Sequence, residues 1–443
     1  MEEQEHIREI RAELSRIVEP GDLLASVVVE HMGCFEAHTL IRSGAAPTAT
    51  LVQNIAEAAE AQGLGGRQRD LREALSRWRT RSDQAAGARD LRTLRRVGGG
   101  LLIPEDPHWP PQLRDLGPAE PLALWWRGES PSAAVSRLPE FHRSVAIVGS
   151  REVTDYGARV TGEISQTLAE RGLCILSGGA YGVDAAAHRS ALRAWERRSG
   201  EGREESGMPT IAVLAGGLDR FYPAGNETLL RSIGRAGLLL SEMAPGSAPT
   251  KHRFLQRNRI IAALAPVTVV TEARWRSGAQ STAHHAVGMG RPVGAVPGSV
   301  YSPTSAGCHR LLRETPAELV RDAADVAELI AGAAPGSAPP GAGAVSGPPE
   351  AEGSAEVQEM LPVPEGSPAR EQDRTRPEDS LSEADRLLLD ALPKRRLSTP
   401  GKLSEVAGLP VPLVLGGLTR LQRRGLARTV DGHWGKSLSR PKG

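Results

Sequence analysis

Between Val145 and His188 the chain reads VAIVGSREVTDYGARVTGEISQTLAERGLCILSGGAYGVDAAAH, and two runs within it constrain the fold more than any other stretch. Val145–Val148 and Leu173–Leu176 are short, continuous and apolar. Each breaks abruptly into small residues (Gly149-Ser150, then Ser177-Gly178-Gly179), and each is followed by a helix-forming segment. Unbroken apolar runs of this length mark strands buried on both faces, as in parallel sheets. A parallel strand that ends in Gly/Ser and feeds a helix leaves backbone N–H groups unpaired at the turn, where a phosphate can sit. Two such units in tandem, with Arg151 directly after the first, predict a sheet edge built to hold an anion or a phosphodiester backbone.

The pattern then recurs. Thr210–Leu214 ends in Gly216-Gly217 and Leu238–Leu240 in Ser241-Glu242; Val267–Val270 ends in Thr271-Glu272 and Val293–Val296 in Pro297-Gly298. Short apolar runs alternating with helical segments predict an α/β fold, an extended Rossmann-like, doubly wound sheet over residues 97–330 with ligands at the strand C-termini. Leu101–Glu129 is proline-rich, holds three of the seven Trp, and reads as an ordered connector packed onto the domain that follows. Residues 1–96 carry helical periodicity (Ile7, Ile10, Leu14, Ile17; then Leu23–Met32, Ile55–Ala61 and Leu71–Trp78) cut by turn signals at Pro20-Gly21, Ser43-Gly44 and Gly63–Gly66, and predict a small helical module.

Total charge is uninformative at +1, but its distribution is not. Residues 331–382, rich in Pro, Gly, Ala and Ser, hold three Arg against nine Asp/Glu and are expected to be a disordered acidic linker. From Glu383 onward twelve Lys/Arg face five Asp/Glu. There, Leu387–Leu392, Leu403–Ala407 and Val411–Arg424 read as three helices. Leu426–Trp434 reads as a hairpin turning at Asp431-Gly432, so residues 383–437 are expected to form a winged helix. The three Cys (34, 174, 308) have neither disulfide nor metal-ligand spacing and fit a reducing compartment. Met1–Ile10 is charged and no apolar run is long enough to span a bilayer, so a cytoplasmic protein with no membrane association is expected.

Three constellations are candidates for chemistry. At the first corner, Gly149 allows close backbone approach, the Ser150 hydroxyl can donate, and Arg151 offers a phosphate fork; Ser177, Gly178 and Gly179 form the second corner. The spacing is not G-x-G-x-x-G, which disfavours NAD. The second constellation is Lys251-His252-Arg253-Phe254-Leu255-Gln256-Arg257-Asn258-Arg259, followed by the apolar helix Ile260–Ala265. Lys251 is the only Lys in the first 393 residues, and it heads a set of four cations around one aromatic in a chain that is 3% aromatic. Cations tracking phosphates beside a ring is single-strand nucleic-acid chemistry. A solvated basic face with Phe254 in the core is the alternative, and Asn258 and Arg259 are equally suited to pinning the loop. The third is Thr271–His285, where Ser277 and Gly278 open another helix; an ordinary strand-to-helix turn accounts for it as well. His284 and His285 point about 100° apart on a helix, a poor metal pair. Asp184 and His188, spaced i, i+4, read as a helix cap and packing in preference to a catalytic pair, since no nucleophile with an orienting partner accompanies them. No catalytic residue, metal or cofactor is expected.

The runs VAIVGSR, SGGAYGVDAAAH, TIAVLAGGLDRFYP, LLLSE, FLQRNRIIAALA, SGAQSTAHHA and AVPGS, in this order and spacing, closely resemble the DprA/Smf family of DNA-processing proteins over about Leu101–Leu319. The flanks agree in kind with that family's helical sterile-alpha-motif-like (SAM-like) module and winged helix. The resemblance implies a non-enzymatic protein that binds single-stranded DNA without sequence preference, protects it, and loads RecA onto it in natural transformation. It also implies a homodimer formed through the Rossmann-like domain. Position by position, the family's DNA-binding arginine falls on Arg151 and its Lys and Phe on Lys251 and Phe254. Departures are Gly179 in the SGGA run, Leu255 where a Pro is usual, and Cys308-His309 in place of an Asn-containing turn. Two other classes compete. One is a Rossmann-type nucleoside-phosphate hydrolase, whose PGGxGTxxE signature is reduced here to Pro297-Gly298-Ser299. The other is a winged-helix regulator touching duplex phosphates through Arg423, Arg424 and Arg428.

Overall fold

The structure is a computed structural model that describes residues 2–65, 69–83, 86–128, 135–200, 207–333, 381–393, 397–407, 409, 411–430 and 432–437. Six helices open the chain: α1 (Glu2–Ile17), α2 (Leu23–Met32), α3 (Cys34–Arg42), α4 (Ala49–Ala61), α5 (Leu71–Ser82) and α6 (Gly87–Arg95). Capping side chains set the starts of α4 and α5. Thr48 accepts from the Leu51 N–H, and the Asp70 carboxylate accepts from the Arg72 and Glu73 N–H groups. The apolar faces of α1–α5 meet in a core of Leu14, Ile17, Val27, Ile55, Leu75 and Trp78, while Leu91 and Leu94 of α6 pack with Leu101 and Trp125.

The proline-rich stretch read as a connector adds two strands to the sheet instead. β1 (Gly99–Leu102) and β2 (Leu124–Arg127) pair antiparallel. The prolines fall between them, and Trp125 and Trp126 alternate into opposite cores. Six parallel strands and a short edge strand follow: β3 (Ser144–Gly149), β4 (Cys174–Ser177), β5 (Thr210–Leu214), β6 (Leu238–Ser241), β7 (Thr268–Glu272), β8 (Val293–Ala295) and β9 (Glu318–Leu319). The crossovers are α7 (Asp155–Glu170), α8 (Val183–Gly200), α9 (Glu227–Ala236), α10 (Lys251–Leu264), α11 (Gly278–Gly288) and α12 (Ala306–Glu314), with α13 (Ala323–Gly332) after β9. Strand order is β1-β2-β6-β5-β4-β3-β7-β8-β9, parallel from β6 to β9, with β2 antiparallel to β6.

Along β3, Val145 and Ile147 pack with α7, α8 and α13 on one face, while Ala146 and Val148 pack with α10 and α11 on the other. Both faces are covered, which is why these strands read as unbroken apolar runs. The chain lays β4, β5 and β6 outward on one side of β3, returns through α10, and lays β7, β8 and β9 on the other side. The reversal point is β3/β7, so the crevice expected to take a ligand lies above the C-terminal ends of these two strands.

At the C-terminus α14 (Glu383–Ala391), α15 (Pro400–Ala407) and α16 (Val411–Arg423) pack around Leu388, Leu403, Val414, Leu418 and Leu421, followed by a hairpin of β10 (Ala427–Val430) and β11 (His433–Lys436). These are the three helices and hairpin expected for residues 383–437. The linker expected over residues 331–382 lies largely outside the described residues, and its first two residues belong to α13. Among the described residues no helix is long and apolar enough to cross a membrane.

Candidate nucleic-acid interface

Glycine at position 149 is needed for packing. A Cβ there would lie 2.6 Å from Val183 Cγ2 and 2.7 Å from the Glu272 carbonyl oxygen, so β3 turns away from its neighbours only without a side chain. The turn that follows is clamped by a carboxylate that no sequence motif marks. Glu272, at the end of β7, accepts from the Thr154 N–H (2.9 Å) and the Thr154 hydroxyl (2.8 Å), while its carbonyl accepts from the Ser150 N–H (2.7 Å). The Ser150 hydroxyl donates to the Glu152 carbonyl at 2.8 Å, closing its own turn. Arg151 is thereby left on the exposed tip, with its guanidinium carbon 4.5 Å from the centre of the Phe254 ring.

An open cleft of about 440 Å³ sits at the β3/β7 reversal. Its lining joins the expected corners: Gly149, Ser150 and Arg151 from the first turn, Lys251, Phe254, Arg257 and Asn258 from α10, and Ser277 and Gly278 at the start of α11. The space above Gly278 is open, and Ser277 Oγ accepts from the Ala279 N–H, so the first turn of α11 faces the cleft. Phe254 also lines a neighbouring cleft of about 280 Å³, where the Tyr222 ring stands 6.0 Å from it. Tyr222 is absent from the expected site residues; it falls in a loop, where no periodicity points to it.

Four expectations within these constellations are corrected. Lys251–Arg259 is the first nine of the fourteen residues of α10, not a basic loop ahead of a helix; Thr250 caps it by accepting from the Arg253 N–H. Arg253 turns away from the cleft. Its guanidinium pairs with both oxygens of Glu19 (3.0 and 2.7 Å) and donates to the Ala248 carbonyl, while Arg81 pairs with the same Glu19. Arg259, 2% exposed, is held by both oxygens of Glu242 (2.8 and 2.7 Å) and by the Ala119 carbonyl. Ser177 is wholly buried and donates to the Ile147 carbonyl at 2.6 Å, so its hydroxyl serves the sheet and not an anion.

Arg257 is intermediate. It lines the cleft floor but donates to the carbonyls of Gly178 and Val213, and burial lowers its pKa to about 10, with Asp184 pulling the other way. Gly178 lines the second cleft only, and Gly179, at φ 66°, turns its carbonyl to Asn226. Asn258 donates to the Gly278 carbonyl at 3.1 Å and ties α10 to α11, the pinning role open to it in the sequence.

Asp184 accepts from the Ala180 N–H, and burial raises its pKa. His188 is wholly buried; its Nδ1 bonds Thr210 Oγ1 at 2.7 Å, and burial lowers its pKa to about 3. These bonds tie both side chains to the backbone and side chains around them, Asp184 to the segment ahead of α8 and His188 to β5. Burial pushes the Cys308 thiol, which donates to the Val270 carbonyl, up to about 12, and His309 bonds the Gly298 carbonyl, so this departure from the family turn supports the β8 loop. Among the described residues no group of His, Cys, Asp and Glu could hold a metal ion.

The C-terminal unit reaches the mouth of this site. α14 packs against α10, α15 packs against α5, and Arg81 donates to the Val406 carbonyl at 3.3 Å. Asp390 faces Lys251, the His252 N–H and Lys436; burial raises its pKa while these groups lower it.

Comparison with known proteins is consistent with this arrangement. A family model described as DNA recombination-mediator protein A matches residues 100–331. The putative DNA processing protein DprA of Mycobacterium tuberculosis is 37% identical over 96% of this chain and 92% of its own length. The DNA processing protein DprA of Streptococcus pneumoniae is 41% identical over 46% of this chain and 66% of its own. The X-ray structure of that pneumococcal protein superposes with a TM-score of 0.51 at 31% identity, covering 71% of this chain and 94% of that one.

Proposed function

The chain belongs to the DNA recombination-mediator protein A (DprA/Smf) family, and from that premise we propose that its cleft binds single-stranded DNA without sequence preference and presents the strand to RecA. One observation carries the reading. Arg151 converges with Lys251 and Phe254, about a hundred residues further along the chain, on one open cleft at the strand C-termini. Arg151 supplies a guanidinium fork and Lys251 a point charge for phosphates, the first turn of α11 adds backbone dipoles, and the Phe254 ring gives a base a surface to stack on. Nothing in this set reads base edges, which makes binding tolerant of sequence. The role is binding without turnover: Asp184 and His188, the residues most like a catalytic pair, are tied into the fold. A homodimer through the Rossmann-like domain and a cytoplasmic, recombination-linked role in natural transformation complete the proposal.

The test is an anisotropy titration with a dT oligonucleotide, a duplex of equal length and a mononucleotide, each with and without RecA. Preference for the single strand, strong salt dependence, and faster RecA filament growth on bound strand are expected. Equal affinity for duplex would shift the reading to a duplex-binding regulator, and release of free base from the mononucleotide would shift it to a hydrolase.

A further inference from the structure

The chain has four tyrosines, and all four are exposed on one edge of the sheet. Tyr156 follows β3, Tyr181 follows β4, Tyr222 follows β5 and Tyr301 follows β8; Trp275 follows β7. Of the six exposed Phe, Tyr and Trp side chains among the described residues, only Phe35 lies elsewhere. In sheet order these strands run β5-β4-β3-β7-β8, so each successive strand end carries one aromatic. At about 4.8 Å between strands the row spans roughly 19 Å.

The β7–β8 end of this row lies beyond the cleft. Trp275 sits between Arg274 and Arg276, two lining residues, yet its own ring does not line the cleft and is 52% exposed. Its backbone is fixed: Gln280 donates to the Arg274 and Trp275 carbonyls (3.1 and 2.6 Å), and Gly307 N–H bonds the Ala273 carbonyl at 2.7 Å. The Arg310 guanidinium lies 4.8 Å from the ring centre and pairs with Glu314. Tyr301, 93% exposed, stands on the next loop. Arg274 is paired with Glu152 and Arg310 with Glu314, so stacking on the two exposed rings, more than phosphate charge, is what this segment offers a single strand.

We propose that the single strand leaves the cleft past Arg276 and continues over Trp275 and Tyr301, so that these two rings form an outer stacking segment of the binding track. This rests on the single-strand reading above and lengthens its footprint toward β8. The site is an extension of the cleft because the lining cations run into it without a break in the chain.

The test compares dT oligonucleotides of about six and about sixteen nucleotides on the full chain, for wild type, Trp275→Ala/Tyr301→Ala and Trp275→Phe/Tyr301→Phe. The alanine pair is expected to bind the short strand normally and the long strand about tenfold more weakly, while the phenylalanine pair keeps the long-strand affinity. Wild-type affinity of the alanine pair for both lengths overturns the outer segment, and so does a loss of equal size on both. A fall in oligomer mass by light scattering with DNA affinity intact also overturns it and makes the patch a protein contact. Failure of the wild type to bind either strand is a different result, since it removes the single-strand reading itself.

Discussion

Glu19→Gln is the perturbation that separates the two halves of the basic run on α10. Glu19 is buried between Arg253 and Arg81, and although burial raises its pKa, the two guanidiniums hold it down at about 2 against an ordinary 4.5. That depression corresponds to roughly 3 kcal/mol of stability at neutral pH. The folded-state pKa lies below the unfolded one, so this stability is fully present above pH 4.5 and is lost as pH falls toward 2. Glutamine keeps the shape and removes the carboxylate that both buried guanidiniums pair with, leaving Arg81 only the more distant Asp22, a change whose cost is typically about 3–5 kcal/mol. The assay is urea unfolding followed by tryptophan fluorescence at pH 7 and at several values below 4.5. A clearly lower midpoint for the variant at pH 7 is expected, with the gap to wild type closing as the wild-type carboxylate protonates. Equal midpoints at pH 7, or a gap that persists at pH 2, would refute the claim that Arg253 is an anchor between the helical module and α10.

Four further outcomes follow from the site. Phe254→Ala should weaken dT binding by an amount equivalent to about 1–3 kcal/mol, with Phe254→Tyr near wild type, both read by anisotropy. Glu272→Gln should loosen the turn that carries Arg151, seen as faster hydrogen exchange at the Thr154 amide, with a smaller loss of dT affinity than Arg151→Ala. Asp390→Asn removes the acidic neighbour of Lys251 and should tighten dT binding about two- to fivefold at low salt; unchanged affinity would mean that the C-terminal unit does not bear on the cleft. The His188 pKa of about 3 lies below its unfolded value, so protonation favours the unfolded chain as pH falls below 6.5. A stability loss of about 1.4 kcal/mol per pH unit should appear between pH 6.5 and 3 in urea titrations, and His188→Gln should flatten it.

The sequence showed the parallel strands because both of their faces are covered, which turns burial into an unbroken apolar run such as Val145–Val148. It hid β1 and β2, where short strands sit beside prolines and alternate their Trp side chains into two separate cores. At the site, Arg151, Lys251 and Phe254 were legible from residue type and from the resemblance together. The roles of Arg253 and Arg259 were not, because an arginine aimed at DNA and one aimed at a buried carboxylate look alike in one dimension. Their partners, Glu19 and Glu242, lie 234 and 17 residues away. Tyr222 and Trp275 were invisible for a related reason: a loop residue acquires a neighbour only when the sheet order places its strand end beside another.

The most direct test of the cleft is the salt dependence of dT affinity for Arg151→Ala, Lys251→Ala and Arg259→Ala beside wild type. Deleting a cation that neutralises one phosphate should reduce the slope of log K against log salt by about 0.7. Arg151→Ala and Lys251→Ala are expected to lower both affinity and slope, while Arg259→Ala lowers stability and leaves the slope of the folded protein unchanged. Wild-type slopes in both cleft variants, or a reduced slope in Arg259→Ala, would contradict the assignment of this cleft as the DNA-binding site.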